Sequence, residues 1–432
     1  MATLTRALCV ASVLLAGCAR GVTPERFTLA NGLRVCLVAG PGAPNTAVVL
    51  VFDAGGDDDP QGRSGTAHLL EHVLFTAAAG SAKARTAEQA MSAYPAGWNA
   101  QTGDSYTVLA TVVPNADLEA ELRARAARMG DLRITEDDLR REKPRLVEEV
   151  ENMFGGLPEL AASNLARVAI HPSPAGGRKG GLPGDVAAIT TGELAAAWRA
   201  RYTPPAAHLV LAGGFDPKPA RGWIEREFGS LASGSPASPP RSAGPANPGV
   251  RVVAIHPRRP MSKPAVSLAY RAPSPADELY PAFLVLAARL ATRFVASASS
   301  GMPPAVAYSF LDDPEVLFVN GVVEPGETAA GAVARLDERV GAAVSARLTP
   351  ADIAAARNVY GTMLGVAPMP AMMLRHNPYG VAFSLARSEQ MGIDGAVLGA
   401  KWKTLSGDSL IAAAAVFAPE RRAAVVVTAA EP

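Results

Sequence analysis

The sequence predicts an α+β fold built as two duplicated layered α/β units, each a mixed, largely antiparallel sheet covered by helices. Three observations carry the prediction. Local patterns recur at a nearly constant offset, apolar runs of strand length lack polar alternation, and a Ser/Pro/Gly-rich stretch separates the copies.

Taken in order, Leu33-Arg34-Val35 opens a strand, and Val250-Arg251-Val252 repeats it 217 residues on. Val48 to Asp53 and Thr107 to Val113 are continuous apolar runs, as strands of a covered sheet require. Glu119 to Met129 has helical composition with Arg and Glu on its outer face. Ile134-Thr135-Glu136-Asp137-Asp138-Leu139 carries a helix-capping signal, and Leu348-Thr349-Pro350-Ala351-Asp352-Ile353 repeats it at an offset of 214. Thr191-Gly192-Glu193-Leu194 opens a further helix, matched 215 residues later by Ser406-Gly407-Asp408-Ser409. Tyr202-Thr203-Pro204 with the strand His208 to Leu211 is matched by Phe417-Ala418-Pro419 with Ala423 to Val427. One coincidence of capping signals is unremarkable, but four matches in the same order mean a duplicated unit. Each unit is expected to pack its helices on one face of its sheet. The resulting division is an export signal over 1–17, a first domain over 18–231, a linker over 232–249 and a homologous second domain over 250–432 that lacks the metal motif described below.

Composition narrows the function. The 432 residues carry 41 Lys+Arg against 40 Asp+Glu, so no basic face for nucleic acid is expected. A hydrophobic fraction of 49% is too high for a disordered chain. The 3 Cys cannot form a disulfide framework, and Cys36, in an apolar strand pattern, reads as a small core residue. Beyond the N-terminus no uncharged apolar run is long enough to span a bilayer, and the hydropathy comes from dispersed Ala.

The N-terminus reads as an export signal. Arg6 supplies positive charge, Ala7 to Ala16 form a short apolar core, and Leu15-Ala16-Gly17-Cys18 resembles the bacterial lipobox. Cys18 is the expected lipidation site. Ala19 after it resembles the sorting signal of Gram-negative lipoproteins bound for the outer membrane. The expectation is a periplasmic protein held at that membrane by a lipid anchor.

The chemistry centres on His68-Leu69-Leu70-Glu71-His72. Residues four apart share a helix face, so His68 and His72 can present two imidazoles to one ion, with Glu71 beside them. Zinc hydrolases need this combination: protein ligands plus a carboxylate that takes a proton from water. H-x-x-E-H is the inverted form of the common zincin order. Gly62 to Ala67 reads as a flexible lead into the helix, and Leu69, Leu70, Val73, Leu74 and Phe75 as its buried side. A further ligand is needed. Glu142 and Glu149, two helical turns apart, face one way, although a surface helix with charge pairs would look the same.

His68 to His72, with Glu149 77 residues after His72, resembles the pitrilysin, insulysin and mitochondrial processing peptidase family of zinc metallopeptidases. Asn31-Gly32-Leu33-Arg34-Val35 is similar to that family's opening strand, and Ala54 to Pro60 to its Gly-and-acid loop. Asn99-Ala100-Gln101-Thr102 is similar to its Asn-Ala-x-Thr edge strand, and the duplication to its clam-shell. The resemblance implies one Zn2+ per chain held by His68, His72 and Glu149, with Glu71 as general base. It implies that Glu142 orients a ligand His, and that Asn99 and Ala100 hold an extended peptide substrate. Active single-chain members carry an Arg seven residues before a Tyr in the second half. Here Tyr308 matches the Tyr, Gly301 stands at the Arg position, and Arg293 matches a different position. The chain is therefore expected to be the zinc-bearing half of a heterodimer whose homologous subunit supplies the Arg/Tyr pair, or else a homodimer. A catalytically silent assembly subunit of the same fold is the alternative. Arg375-His376-Asn377-Pro378-Tyr379 is a candidate substitute for the missing contact. Pro144 is expected to kink the Glu142–Glu149 helix mildly, one turn from its start. His171 reads as a turn residue, His208 and His256 as structural residues at strand starts, and Trp198 as part of a helix packed on the sheet.

Overall fold

The structure, a computed structural model, describes residues 22–155, 158–170, 180–234, 249–256, 263–296, 306–309, 315–366 and 370–430. The export signal, Cys18, His171, Gly301 and positions 235–248 of the linker lie outside the described residues.

The first half runs β1 (Glu25–Thr28), β2 (Arg34–Ala39), β3 (Asn45–Phe52), α1 (Thr66–Thr76), β4 (Ala78–Ala79), α2 (Ala87–Ser92), β5 (Trp98–Thr102) and β6 (Thr107–Pro114). It continues with α3 (Leu118–Gly130), β7 (Leu132–Arg133), α4 (Glu136–Gly155), α5 (Pro158–Ile170), α6 (Pro183–Ala188), α7 (Thr191–Arg201), β8 (Ala207–Gly213) and α8 (Pro217–Phe228). The second half runs β9 (Gly249–Ile255), β10 (Ala265–Arg271), α9 (Tyr280–Ala296), β11 (Val306–Ala307), β12 (Val316–Val322), α10 (Ala329–Val344) and α11 (Pro350–Tyr360). Then come α12 (Ala371–His376), α13 (Pro378–Gln390), α14 (Gly395–Lys403), α15 (Gly407–Ala414) and β13 (Arg422–Ala429).

The duplication is visible in the sheets. The first has the order β1-β2-β8-β3-β6-β5 and the second β11-β12-β10-β13-β9. Read from the opposite end, the second sheet repeats the first without β1. In each, the opening strand pairs in parallel with the closing strand (β2 with β8, β9 with β13), and the remaining neighbours are antiparallel. The capping signals recur as structure. Thr135 Oγ1 bonds Asp138 and Thr349 Oγ1 bonds Asp352, both at 2.7 Å. Thr190 and Ser406 cap α7 and α15.

One expectation is corrected. Helices cover both faces of each sheet, and the second face is covered by the other half. Alternate residues of one run point to different cores. Val48, Leu50 and Phe52 face α1, α3 and α7, while Val49 and Val51 meet Val381, Phe383 and Leu385 of α13. Conversely α5 lies on β10, β12 and β13 of the second sheet. Its Ala161, Ala162, Ala166 and Ala169 meet Ala265, Ala269, Ala423 and Val425, small against small, which lets helix and sheet approach closely. Ser163 of α5 donates to Asn320 across this contact, Ser267 of β10 donates to the same residue from within the sheet, and Arg271 donates to the Ile170 carbonyl at the end of α5. Two-sided burial is why the strands read as unbroken apolar runs. Cys36 is one such residue, a buried free thiol on β2. His256 follows the end of β9 rather than starting a strand, because β9 begins at Gly249. No described helix is long and apolar enough to cross a membrane.

Candidate metal centre

Helix α1 is buried on nearly every side, and only His72 among its eleven residues is not fully covered. Its start is pinned, which corrects the expected flexible lead. Asp59 accepts from the backbone N–H groups of Gly65 (2.7 Å) and Ala67 (2.9 Å), the orphan donors at a helix N-terminus. Burial raises the Asp59 pKa to about 7 against these bonds. Ser64 bonds Asp185 at 2.6 Å and accepts from Leu182 N–H at 2.9 Å. Gly65 has φ +91°, a left-handed conformation suited to Gly.

On this helix His68 and His72 present their rings nearly perpendicular, with centroids 5.1 Å apart. Helix α4 crosses them and delivers Glu149, whose carboxylate lies 3.7 Å from His68 Nε2 and 3.6 Å from His72 Nε2. Ligand atoms of these residues all lie within 4.8 Å of one another. Donors around a tetrahedral ion at roughly 2.0–2.2 Å stand roughly 3.3–3.6 Å apart. The two His–carboxylate spacings come close to that separation, and the two imidazoles and one carboxylate are the donor types that could hold one small divalent cation. The Glu149 side chain is 46% exposed, so the cluster opens to solvent on that side.

Glu142, two turns earlier on α4, is fully buried with Oε2 3.5 Å from His72 Nδ1, and Arg145 donates to it at 2.8 Å. Two carboxylates thus flank His72. Burial disfavours its charged form, but the nearby carboxylates of Glu142 and Glu149 outweigh that and raise its pKa to about 9. Burial, then the His72 charge, lowers His68 to about 4. Glu71 stands beside the donor set and accepts from Thr102 Oγ1 of β5 at 2.6 Å. Burial lifts its pKa to about 7 against that bond and the pull of His72, which suits a group that accepts and returns a proton near neutral pH.

The structure brings together His68, Glu71, His72, Glu142 and Glu149. Asn99 and Ala100 lie on β5, the end strand of the first sheet among the described residues, within three residues of Thr102. Tyr308 lies apart in the second half, edge-on to Phe283 at 5.1 Å and to Tyr360 at 6.4 Å. Pro144 is placed differently from expectation. Helix α4 starts at Glu136, so Pro144 sits more than two turns inside an unbroken helix. Pro144 and Arg140, whose carbonyl loses its amide partner, are both solvent-exposed, so water can take that bond. His208 is buried within β8, 3.7 Å from Asp53. Trp198 donates to the Arg128 carbonyl at 3.2 Å.

One positioning feature escaped the sequence, and a second lies in a segment that the sequence singled out. Gly180, at φ +92°, lies so close that a Cβ there would stand 2.9 Å from His68 Nδ1 and 2.5 Å from Val150 Cγ2. Tyr379 of α13 accepts from Asn99 Nδ2 at 2.8 Å, bringing a residue of the second half to β5. A bare glycine carries no local signal, whereas Tyr379 belongs to the segment 375–379 offered above as a substitute contact, although its partner Asn99 was not foreseen.

Two family models match the chain: Insulinase (Peptidase family M16) over residues 34–174 and Peptidase M16 inactive domain over residues 188–360. An uncharacterized zinc protease of Mycobacterium leprae is 30% identical over 230 residues, 52% of this chain and 51% of that protein. The mitochondrial-processing peptidase subunit beta of Lentinula edodes is 26% identical over 211 residues, 49% of this chain and 45% of that protein. The chain spans about half the length of the curated relatives it matches. In fold it is similar to a protease from Helicobacter pylori, with a TM-score of 0.78 at 18% identity, covering 94% of this chain and 100% of that one.

Proposed function

The chain belongs to the insulinase-type M16 peptidase family, and on that premise we propose that it is a zinc-dependent endopeptidase acting on peptides or unfolded segments. The observation that carries this reading is the convergence of His68, His72 and Glu149, with Glu71 buried alongside. Relatives named zinc proteases support the choice of metal. Zinc held by His68, His72 and Glu149 would polarise the scissile carbonyl and acidify water. Glu71, held by Thr102, takes the proton from the attacking water and returns it to the departing amine. Glu142 keeps His72 oriented and its Nε2 aimed at the donor set. Among the described residues β5 has one edge unpaired beside Glu71, and an extended peptide can add to it as a further strand through Asn99 and Ala100.

The second half supplies Tyr308 without an Arg seven residues before it. This chain accordingly acts as the zinc-bearing subunit with a homologous partner, as processing-peptidase relatives named as subunits suggest. The lipobox-like segment ending at Cys18 supports a periplasmic protein anchored to the outer membrane.

The test is metal content together with peptide cleavage, measured with and without a homologous chain carrying the Arg/Tyr pair. One zinc per chain is expected. Glu71→Gln should keep the zinc and lose roughly 10²–10⁴-fold in rate. Absence of stoichiometric zinc, or undiminished cleavage by Glu71→Gln, would sink the enzyme reading in favour of a silent assembly subunit. Full activity of the chain alone would remove the partner.

A further inference from the structure

The end strand β5 is fastened on both faces. Its side chains alternate, so Trp98, Ala100 and Thr102 point towards α1 while Asn99 and Gln101 point the other way. On the α1 face Trp98 packs on Phe75 with centroids 5.5 Å apart, and Thr102 bonds Glu71 at 2.6 Å. On the opposite face the contact comes from the second half, where Asn99 Nδ2 donates to Tyr379 Oη at 2.8 Å. Tyr379 is itself held. Its ring stacks on Phe383 at 5.7 Å, and Asn377 caps α13 just before it through the Gly380 N–H at 2.9 Å. Further along α13, Arg387 lies 3.4 Å over the Tyr106 ring, and Gln390 reaches the Ser105 carbonyl at 3.5 Å. The helix therefore lies on β3, β8 and β6, and it meets β5 through Tyr379 and the turn after β5 through Arg387 and Gln390.

A free strand edge is an effective template only when its N–H and C=O groups hold one line. We propose that Tyr379 is a positioning residue for peptide binding: by fastening Asn99 it fixes the unpaired edge of β5 in the register that an incoming extended peptide reads. The proposal rests on the peptidase reading above. Because Tyr379 touches β5 and none of the metal donors has it as a partner, it acts on how the peptide is held and leaves proton transfer by Glu71 untouched.

Tyr379→Phe keeps the ring stack on Phe383 and removes only the hydroxyl. With a quenched fluorogenic peptide and the full zinc-loaded chain, KM should rise roughly 3- to 10-fold, the range one net hydrogen bond spans. kcat should stay within about twofold, with zinc content and melting temperature unchanged. Asn99→Ala should raise KM as well, and the double variant should be no worse than Asn99→Ala alone, since both remove the same link. An unchanged KM in Tyr379→Phe, a fall confined to kcat, or additive effects in the double variant would each overturn the assignment while leaving the peptidase reading intact. No cleavage by the unsubstituted chain, alone or with its homologous partner, would remove both.

Discussion

Gly180→Ala should cost metal affinity through a single methyl group. At φ +92° an L-residue is strained by roughly 1–2 kcal/mol. The added Cβ would stand 2.9 Å from His68 Nδ1, whereas ordinary contact begins near 3.4 Å, so the imidazole must retreat by the difference, close to half an ångström. Val150 Cγ2 would lie closer still, at 2.5 Å, so the methyl crowds both neighbours. Metal–ligand distances tolerate only about 0.2 Å. A perturbation that misdirects a ligand His costs roughly 10–100-fold in affinity, about 1.4–2.8 kcal/mol. Competition between the protein and a chromophoric chelator for Zn2+ reads this directly, and thermal melting of the metal-free protein reads the backbone strain separately. Gly184→Ala, in α6 with no atom within 4 Å of its added Cβ, is the matched control and should bind normally. If Gly180→Ala binds Zn2+ within about twofold of the parent, the contact does not hold His68 and the reasoning fails.

Three further outcomes are expected. Glu142→Gln removes the carboxylate behind His72 Nδ1 and should weaken Zn2+ binding roughly tenfold by calorimetry, with the fold retained. Asp352 is held at about 2, chiefly by hydrogen bonding from Arg289. A carboxyl depressed below its unfolded value stabilises above that value, so its contribution should fade as pH falls from about 4 towards about 2. Urea midpoints of the parent and Asp352→Asn should therefore converge at low pH, and a constant gap would contradict this. A chain ending at 231 lacks α13 and should bind a hydrophobic dye without cooperative melting until the second half is supplied; sharp melting on its own would show that the exchanged helix is dispensable.

Residue spacing was enough to reveal His68, Glu71 and His72, because the four-residue period of a helix brings them together without help from distant chain. The duplicated capping pairs Thr135–Asp138 and Thr349–Asp352 were legible for the same reason. Glu149 needed a family resemblance, since its approach to the histidines depends on how α4 crosses α1. The pinning of α1 by Asp59 and the proximity of Gly180 to His68 were illegible, because loop geometry sets both. β1 was missed because Glu25-Arg26-Phe27-Thr28 has neither an apolar run nor clear alternation. The exchange of α5 and α13 was hidden as well. Small residues such as Ala161 and Ala166 announce a close packing surface but not which sheet it meets.

That exchange has a consequence during synthesis. The last strand of the first sheet closes at Gly213, yet the helix that covers one of its faces ends at Gln390. At about 5–20 residues per second, the ribosome needs roughly 10–35 s to span that interval. For that time the face bearing Val49, Val51, Val108 and Ala110 has no native cover from its own half. Nascent chains halted within the interval should therefore be held by chaperones, and release should follow once Gln390 has left the exit tunnel.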